Sequence, residues 1–350
     1  MKKLTIITAF AALAALSGLA SAQSNVTVFG VIDLSVNSVT NGSNRLTTMD
    51  ANQQSTSRLG FRGTENLGNG NTASFWLEST LDPSSGMAGA SKAATINKAE
   101  TSSGQLFDRR ATLSLENATV GELRLGRDYV PTYRAFQSFD AFAANGLMEG
   151  WTLANNTLGS NISTMQRASN SVSYFLPSNL NGIYGQATVS SSEGLLGQKY
   201  TGARLGYAVG KADIAVSYGN TANGAADLTV TNVGASYDFG MIKVFGIWNQ
   251  NKYDTKKETL YELSGSIPVG ADEVKVGYAH AAFSNYASNS DVGQFGAQYL
   301  HNLSKRTAVY TGFGRMINSG KGNFTLGGTT VATSNDLTST GYNVGVRHIF

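Results

Sequence analysis

The chain of 350 residues contains no cysteine, 4 prolines and 3 histidines. Without cysteine there is no disulfide framework and no thiol chemistry. The histidines, His280, His301 and His348, are scattered and form no HExxH motif. No Gly-rich loop precedes a helix, so neither a zinc hydrolase nor a phosphate-binding enzyme finds its residues. A barrel lipase would need a Ser-His pair at a lumen or rim, and His301 in a short turn is its sole remote candidate. The chain is therefore not expected to be an enzyme, and it calls for no catalytic residue, metal or cofactor. Charge is scarce too. Asp, Glu, Lys and Arg make up 14%, against ~25% in soluble domains. A nucleic-acid partner would show as a strongly basic domain, and none is present.

Long hydrophobic runs are also missing, except at the start. Lys2 and Lys3 precede an apolar run, Leu4 to Leu19, and Ala20-Ser21-Ala22 is a small-residue cleavage site. Residues 1–22 thus read as a signal peptide; the run is short for the ~20 residues of a spanning helix. The mature chain, 23–350, then carries 24 basic residues (26 − 2) against 23 acidic ones. It either lies outside the inner membrane as a soluble protein or crosses a membrane as strands.

What is abundant is glycine, with 40 residues, and aromatics, with 15 Tyr and 16 Phe. A period of two runs through the chain, which is the signal of a strand with one apolar face. Val28, Gly30, Ile32, Leu34 and Val36 oppose Val31, Asp33 and Ser35. Leu59 and Phe61 oppose Arg58, Gly60 and Arg62. Ala73, Phe75 and Leu77 oppose Ser74, Trp76 and Glu78. Ala111, Leu113 and Leu115 oppose Arg110, Thr112 and Ser114, and Leu123 and Leu125 oppose Glu122, Arg124 and Gly126. The pattern continues to Phe350 and gives 16 candidate strands. Each membrane strand needs ~9–11 residues, so the mature length leaves a similar share for each connection. Short turns such as Asn66–Gly70 and Asn302–Arg306 alternate with longer polar stretches, Asn37–Thr56, Asp82–Gln105 and Asn318–Asn335. That alternation is the layout of an outer-membrane barrel.

A soluble sandwich would show the same period. Against it stand the even number of long strands, the signal peptide without cysteines, and aromatics near strand ends suited to interfacial girdles (Tyr207, Tyr218, Tyr237, Phe239, Trp248, Tyr278, Tyr299, Tyr310, Tyr342 and Phe350). The expected fold is all-β, a 16-stranded antiparallel transmembrane barrel. No composition break suggests a second domain.

One stretch breaks the period. Residues 129–167 show neither strand alternation nor a convincing helical stripe, and a connection this long in a compact domain argues for a functional loop. It is expected to fold inward as a constriction. Its aromatics, Tyr129, Tyr133, Phe136, Phe139, Phe142 and Trp151, could form a sugar-sliding track or, more commonly, pack the loop on the wall.

Several separated motifs carry a resemblance. Ser55–Glu65 (STSRLGFRGTE), Phe75–Glu78 (FWLE), Arg109–Leu115 (RRATLSL), Gly121–Asp128 (GELRLGRD), His301–Thr307 (HNLSKRT) and the terminal GVRHIF resemble the general diffusion porins of the Gram-negative outer membrane, most closely the branch that tends to prefer anions. The resemblance covers the whole mature chain. It implies a homotrimer, a third external loop folded into each lumen, outer-membrane lipid and lipopolysaccharide around the barrel, and Phe350 as part of the signal read by the barrel-assembly machinery. It also implies a constriction built from Arg58, Arg109 and Arg167 on the wall, with Glu78 beside them and Asp140 on the loop. Parity places Arg110 rather than Arg109 in the lumen, and a bulge could re-aim either, so both are retained. Arg62, Arg124 and Arg127 are expected as further lumen charges.

The function expected is passive passage of small hydrophilic solutes and ions, with anions preferred because a charged ring at a narrow point filters ions. A substrate-specific channel or surface adhesin on the same barrel is the alternative.

Overall fold

In the computed structural model the described residues are 25–89, 104–328 and 335–350. The proposed signal peptide and most of the second long connection lie outside them. The strands are β1 Asn25–Asn41, β2 Asn44–Ala51, β3 Arg58–Gly68, β4 Asn71–Asp82, β5 Met87–Ala88, β6 Arg110–Asn117, β7 Gly121–Tyr129, β8 Arg167–Phe175, β9 Ile183–Ser190 and β10 Lys199–Val209. They continue with β11 Ala212–Ala222, β12 Leu228–Asp238, β13 Lys243–Tyr253, β14 Lys256–Val269, β15 Asp272–Ser284, β16 Asp291–Asn302, β17 Thr307–Ser319 and β18 Thr338–Ile349.

Every neighbouring pair is antiparallel, and β1 closes on β18 from Val31↔Ile349 to Asn41↔Ser339. Closure leaves no edge strand and pairs the backbone polar groups that a bilayer could not hydrate. β2 and β3 form a single stave, since β2 pairs with the upper part of β1 and β3 with its lower part. β5 is a two-residue bridge on β4. The wall therefore has 16 staves.

Alternation sets the two faces. Along β1, Asp33, Ser35 and Asn37 are buried in the lumen while Val26, Val28 and Val36 point outward and are exposed. Outward aromatics include Tyr207, Tyr218, Tyr237, Phe239, Tyr278, Tyr299 and Tyr342. Tyr310 departs from the expected girdle. Val309 takes the outward position, and Tyr310 turns inward, 2% exposed, where its hydroxyl donates to the Asp33 carboxylate.

The first long connection is also not a loop. Residues 37–51 continue the wall upward as a hairpin, turning at Gly42 (φ +60) between β1 and β2. Its polar composition masked a regular alternation, because both faces of a hairpin above the membrane are wet. The connection after β13 is a tight hairpin as well, Tyr253 to Lys256.

Residues 130–166 fold inside the barrel, and they contain two helices that the sequence pattern did not reveal. These are α1 Pro131–Ser138 and α2 Trp151–Ala154. Pro131 suits the first turn, where its missing N–H is not needed. Val130, Tyr133, Phe136 and Phe139, spaced by three, are all buried. The stripe was present but short, and Pro131, the glycines and the asparagines around it read as breakers.

Candidate functional site

The inward segment is tied to one side of the wall by lumen-facing polar residues. Asn232 Nδ2 donates to the Thr132 carbonyl (3.1 Å), and Asn251 Nδ2 to the Ala154 and Asn156 carbonyls (2.7 and 3.0 Å). Gln294 Nε2 donates to the Leu147 and Glu149 carbonyls at 3.1 and 3.2 Å. These bonds satisfy loop carbonyls that would otherwise be buried unpaired. Tyr133, Phe136, Phe139, Phe142 and Trp151 are all buried. They pack the loop on the wall, and Tyr133 and Phe136 meet the Trp151 ring edge-on at 4.6 and 5.2 Å.

The opposite side of the lumen is left open as a space of about 500 Å³. Its lining includes Arg58, Arg62, Trp76, Glu78, Arg109, Arg110, Asp128, Tyr129, Arg134 and Gln137. Five arginines thus line it against two carboxylates.

Arg109 and Arg110 both reach this space, by different means. Arg110 begins β6 opposite Glu78 on β4 and points inward by parity. Its guanidinium lies 4.5 Å from the Trp76 ring centre and 4.0 Å from Asp128 Oδ2. Arg109 precedes the strand, where the alternation no longer constrains it. Its Nε donates to Glu78 Oε1 at 2.5 Å and its Nη2 to the Tyr129 hydroxyl at 2.9 Å. Glu78 also accepts from Trp76 Nε1 at 3.0 Å and lies 3.9 Å from Arg58 Nε. Arg167 stands behind, its Nη2 on the same Tyr129 hydroxyl at 3.0 Å and its Nε on the Arg109 carbonyl at 2.9 Å. Three guanidinium groups so close repel one another; one carboxylate and one phenol hold them.

A bulge between Gly126 and Asp128 shifts the β7–β8 register. Gly126 sits at φ +121, and a Cβ there would strike the Ala111 carbonyl, so glycine is required. The extra residue lies on β8, where Ser169 and Asn170 oppose Arg127 alone, so the alternation of β7 is unbroken and Asp128, 3% exposed, faces the lumen. Its carboxylate accepts from Arg134 Nη2 at 3.1 Å, from Arg124 and from the Tyr129 backbone N–H at 2.7 Å. Asp128 and Arg134 are central to the site, beyond the constriction residues that the resemblance implies. Parity alone would have found Asp128, two residues past Gly126 on the polar face. Arg134 depended on α1.

Two expected site residues, Asp140 and Arg127, lie elsewhere. Asp140 does not face the arginine wall. It is 3% exposed, accepts from the Phe142 and Ala144 backbone N–H groups at 2.7 and 2.8 Å, and faces Glu262 of β14 on the far wall. An aspartate followed by a tight turn bonds its own backbone first. Burial pushes its carboxyl above the ordinary range, and burial with the nearby Asp140 charge pushes Glu149 up to about 7. The loop thus offers the open lumen Arg134 and Gln137 instead of carboxylates. Arg127 is not grouped with the lumen charges. It pairs with Ala111, itself opposite Leu77, on an outward-facing row, and donates to the Asp108 carbonyl and Ser169 at 2.6 and 2.9 Å. Arg124 does lie on the lumen face, doubly bonded to Glu122 at 2.8 and 2.9 Å and 4.2 Å from the Phe175 ring centre. Arg62 is exposed there, 5.2 Å from both the Phe29 and Trp76 ring centres. Phe350 ends the chain in register with Gly30, exchanging backbone hydrogen bonds at 3.0 and 3.1 Å.

A family model described as Gram-negative porin matches residues 9–323. The chain is 36% identical to outer membrane porin protein 32 of Delftia acidovorans, covering both chains fully. Among solved structures it is similar to an anion-selective porin from Comamonas acidovorans, with 33% identity, a TM-score of 0.82, and 94% of this chain and 100% of that one covered. It shares its fold with OmpT, an outer membrane protein of Vibrio cholerae in trimer form, at 14% identity and a TM-score of 0.66, over 93% and 99% of the two chains.

Proposed function

Since the chain belongs to the family of Gram-negative porins, an outer-membrane barrel for passive diffusion and not an enzyme, we propose that its pore prefers anions and that the preference is set by Arg58, Arg62, Arg110 and Arg134, with Arg109 and Arg167 behind them. The observation that carries this is the imbalance of the lining, five arginines to Glu78 and Asp128, with the loop carboxylates turned to the far wall. Fixed positive charge beside a low-dielectric wall raises the local anion concentration. Arginine keeps its charge at every physiological pH. Arg109 and Arg167, each under a tenth exposed, shape and charge the site from behind; Arg58, Arg62, Arg110 and Arg134 meet the permeating ion.

A homotrimer accompanies this reading. The trimer form of OmpT, which shares the fold over 93% of this chain, supports it. Cleavage after Ala22, lipopolysaccharide around the outer rim and recognition of Phe350 by the assembly machinery complete it.

The test is a planar-bilayer reversal potential in a tenfold KCl gradient. The wild type should reverse near the chloride equilibrium potential. Combining Arg58→Gln, Arg110→Gln and Arg134→Gln should move it well toward zero. A triple variant as selective as the parent would remove these residues from the filter.

A further inference from the structure

Beside the arginines the lumen wall carries two aromatic rings that ion filtering does not use. Arg62 pairs with Trp76 across β3 and β4, and Phe29 pairs with Gly60 across β1 and β3. The Phe29 and Trp76 rings meet edge to face at 4.9 Å. Gly60 makes room for this. A Cβ there would lie 2.3 Å from the tip of the Phe29 ring, so the ring lies along the wall where a side chain would otherwise stand. Both rings line the open space of about 500 Å³. Arg62 and Trp76 are the next inward pair after Gly60 and Glu78 toward the short turn that joins β3 to β4. That is ~7 Å further along the strand, on the periplasmic side of the constriction.

Arg62 stands over these rings without an acceptor. Its guanidinium is exposed in the lumen, 5.2 Å from each ring centre, and among the described residues none pairs with it or accepts a hydrogen bond from it. Each of the other four arginines of the lining bonds a protein oxygen. Arg58 donates to the Thr56 carbonyl, Arg109 to Glu78, Arg110 to the Thr112 hydroxyl and Arg134 to Asp128. Trp76 donates its indole N–H to Glu78 at 3.0 Å, which accounts for its nitrogen but not for Phe29 or for the unpaired Arg62.

A bare anion gains nothing from an aromatic face, whose electron density repels it. A ring facing water also leaves apolar surface unburied. Both costs are offset by a solute that carries a flat apolar body and a carboxylate together. Its ring packs on Trp76 and Phe29, and its carboxylate takes two unused donors of the Arg62 fork. The space is ample, since a cavity of about 150 Å³ admits benzene.

We propose that Arg62, Trp76 and Phe29 form a binding site for aromatic monocarboxylates on the periplasmic side of the constriction. The inference rests on the reading that the pore prefers anions, and it names the class of solute that the same space retains.

Full-length purified protein in planar bilayers would be exposed in KCl to benzoate, cyclohexanecarboxylate and acetate, and the block of current followed against concentration. Benzoate should block saturably, at about a tenth of the acetate concentration and below that of cyclohexanecarboxylate. Phe29→Leu keeps an apolar side chain over Gly60 and removes the ring. It should raise the half-blocking benzoate concentration about two- to tenfold and move the acetate value less. Arg62→Lys keeps the charge and loses the fork, and should also weaken benzoate. Chloride current through each variant shows that it folds. Benzoate should change the tryptophan fluorescence of the wild type, and Trp76→Phe, which leaves Trp151 and Trp248, should abolish that change. A wild type that reverses on the cation side in a KCl gradient overturns the anion reading and this site with it. An anion-preferring wild type that benzoate blocks no more tightly than acetate overturns this site alone. Equal block by benzoate and cyclohexanecarboxylate overturns the aromatic assignment. Unaltered benzoate block in Phe29→Leu, or a fluorescence change that survives Trp76→Phe, places binding elsewhere and overturns the site.

Discussion

Arg109 and Arg167 donate to a single acceptor, the hydroxyl oxygen of Tyr129, at 2.9 and 3.0 Å. Two like charges held by one phenol at a pore wall need that oxygen more than they need each other. Tyr129→Phe keeps the ring that Arg167 overlies at 4.5 Å and removes only the acceptor. It should destabilise the barrel by ~1–3 kcal/mol, the cost of leaving buried donors unsatisfied. The readout is the temperature at which the heat-modified species appears in gels. An unchanged temperature would show that water replaces the phenol.

Glu78 is the other restraint, bonded to Arg109 and within 4 Å of Arg58. Glu78→Gln removes the negative charge and leaves buried guanidinium groups uncompensated. Breaking a buried pair costs about 3–5 kcal/mol, so the variant should be clearly less stable. Its reversal potential should move further toward the chloride value, as one of two lining carboxylates is gone. Lower stability with weaker anion preference would contradict the assignment.

Asp140→Asn separates loop anchoring from filtering. Asp140 lies against Glu262 and its own loop N–H groups, away from the arginines. Selectivity should stay within experimental error of the wild type. A shift toward stronger anion preference would mean that its charge reaches the pore.

The attachment of the loop should depend on pH. Glu149 has its carboxyl pushed up to about 7 by burial and by Asp140, and it shares this region with Glu262 and Lys275. A carboxyl raised above its ordinary 4.5 contributes in full below that value, and the contribution is lost as pH rises through about 7. Hydrogen exchange of the 130–166 amides, corrected for intrinsic rate, should be slower at pH 5 than at pH 8. Glu149→Gln should flatten the difference. Equal protection at both pH values in the wild type would refute the coupling.

Much of this protein is written in its local pattern. A period of two repeated along the chain dictates strands with one wet and one apolar face, and Val28 against Asp33 or Leu113 against Arg110 declares which is which. The glycine-rich and asparagine-rich turns punctuate the strands, and an even count allows closure. Those signals fixed the barrel, its orientation toward water and lipid, and the lumen positions of Arg58, Glu78 and Arg110. Where regular pairing stopped, parity lost its force. Arg109 lies one residue before its strand. Tyr129 lies just past a bulge, and Arg127 and Tyr310 took faces that residue type did not announce. Asp140 and Arg134 belong to a segment whose course depends on which wall residues, Asn232, Asn251 and Gln294, catch its carbonyls. Those partners lie about 90 to 150 residues away in the chain. The sequence by itself determined a membrane barrel with a charged lumen. Only the tertiary structure decided that the loop turns its carboxylates to one wall and leaves the arginines of the other facing the pore, because that choice depends on contacts that exist only once the barrel has closed.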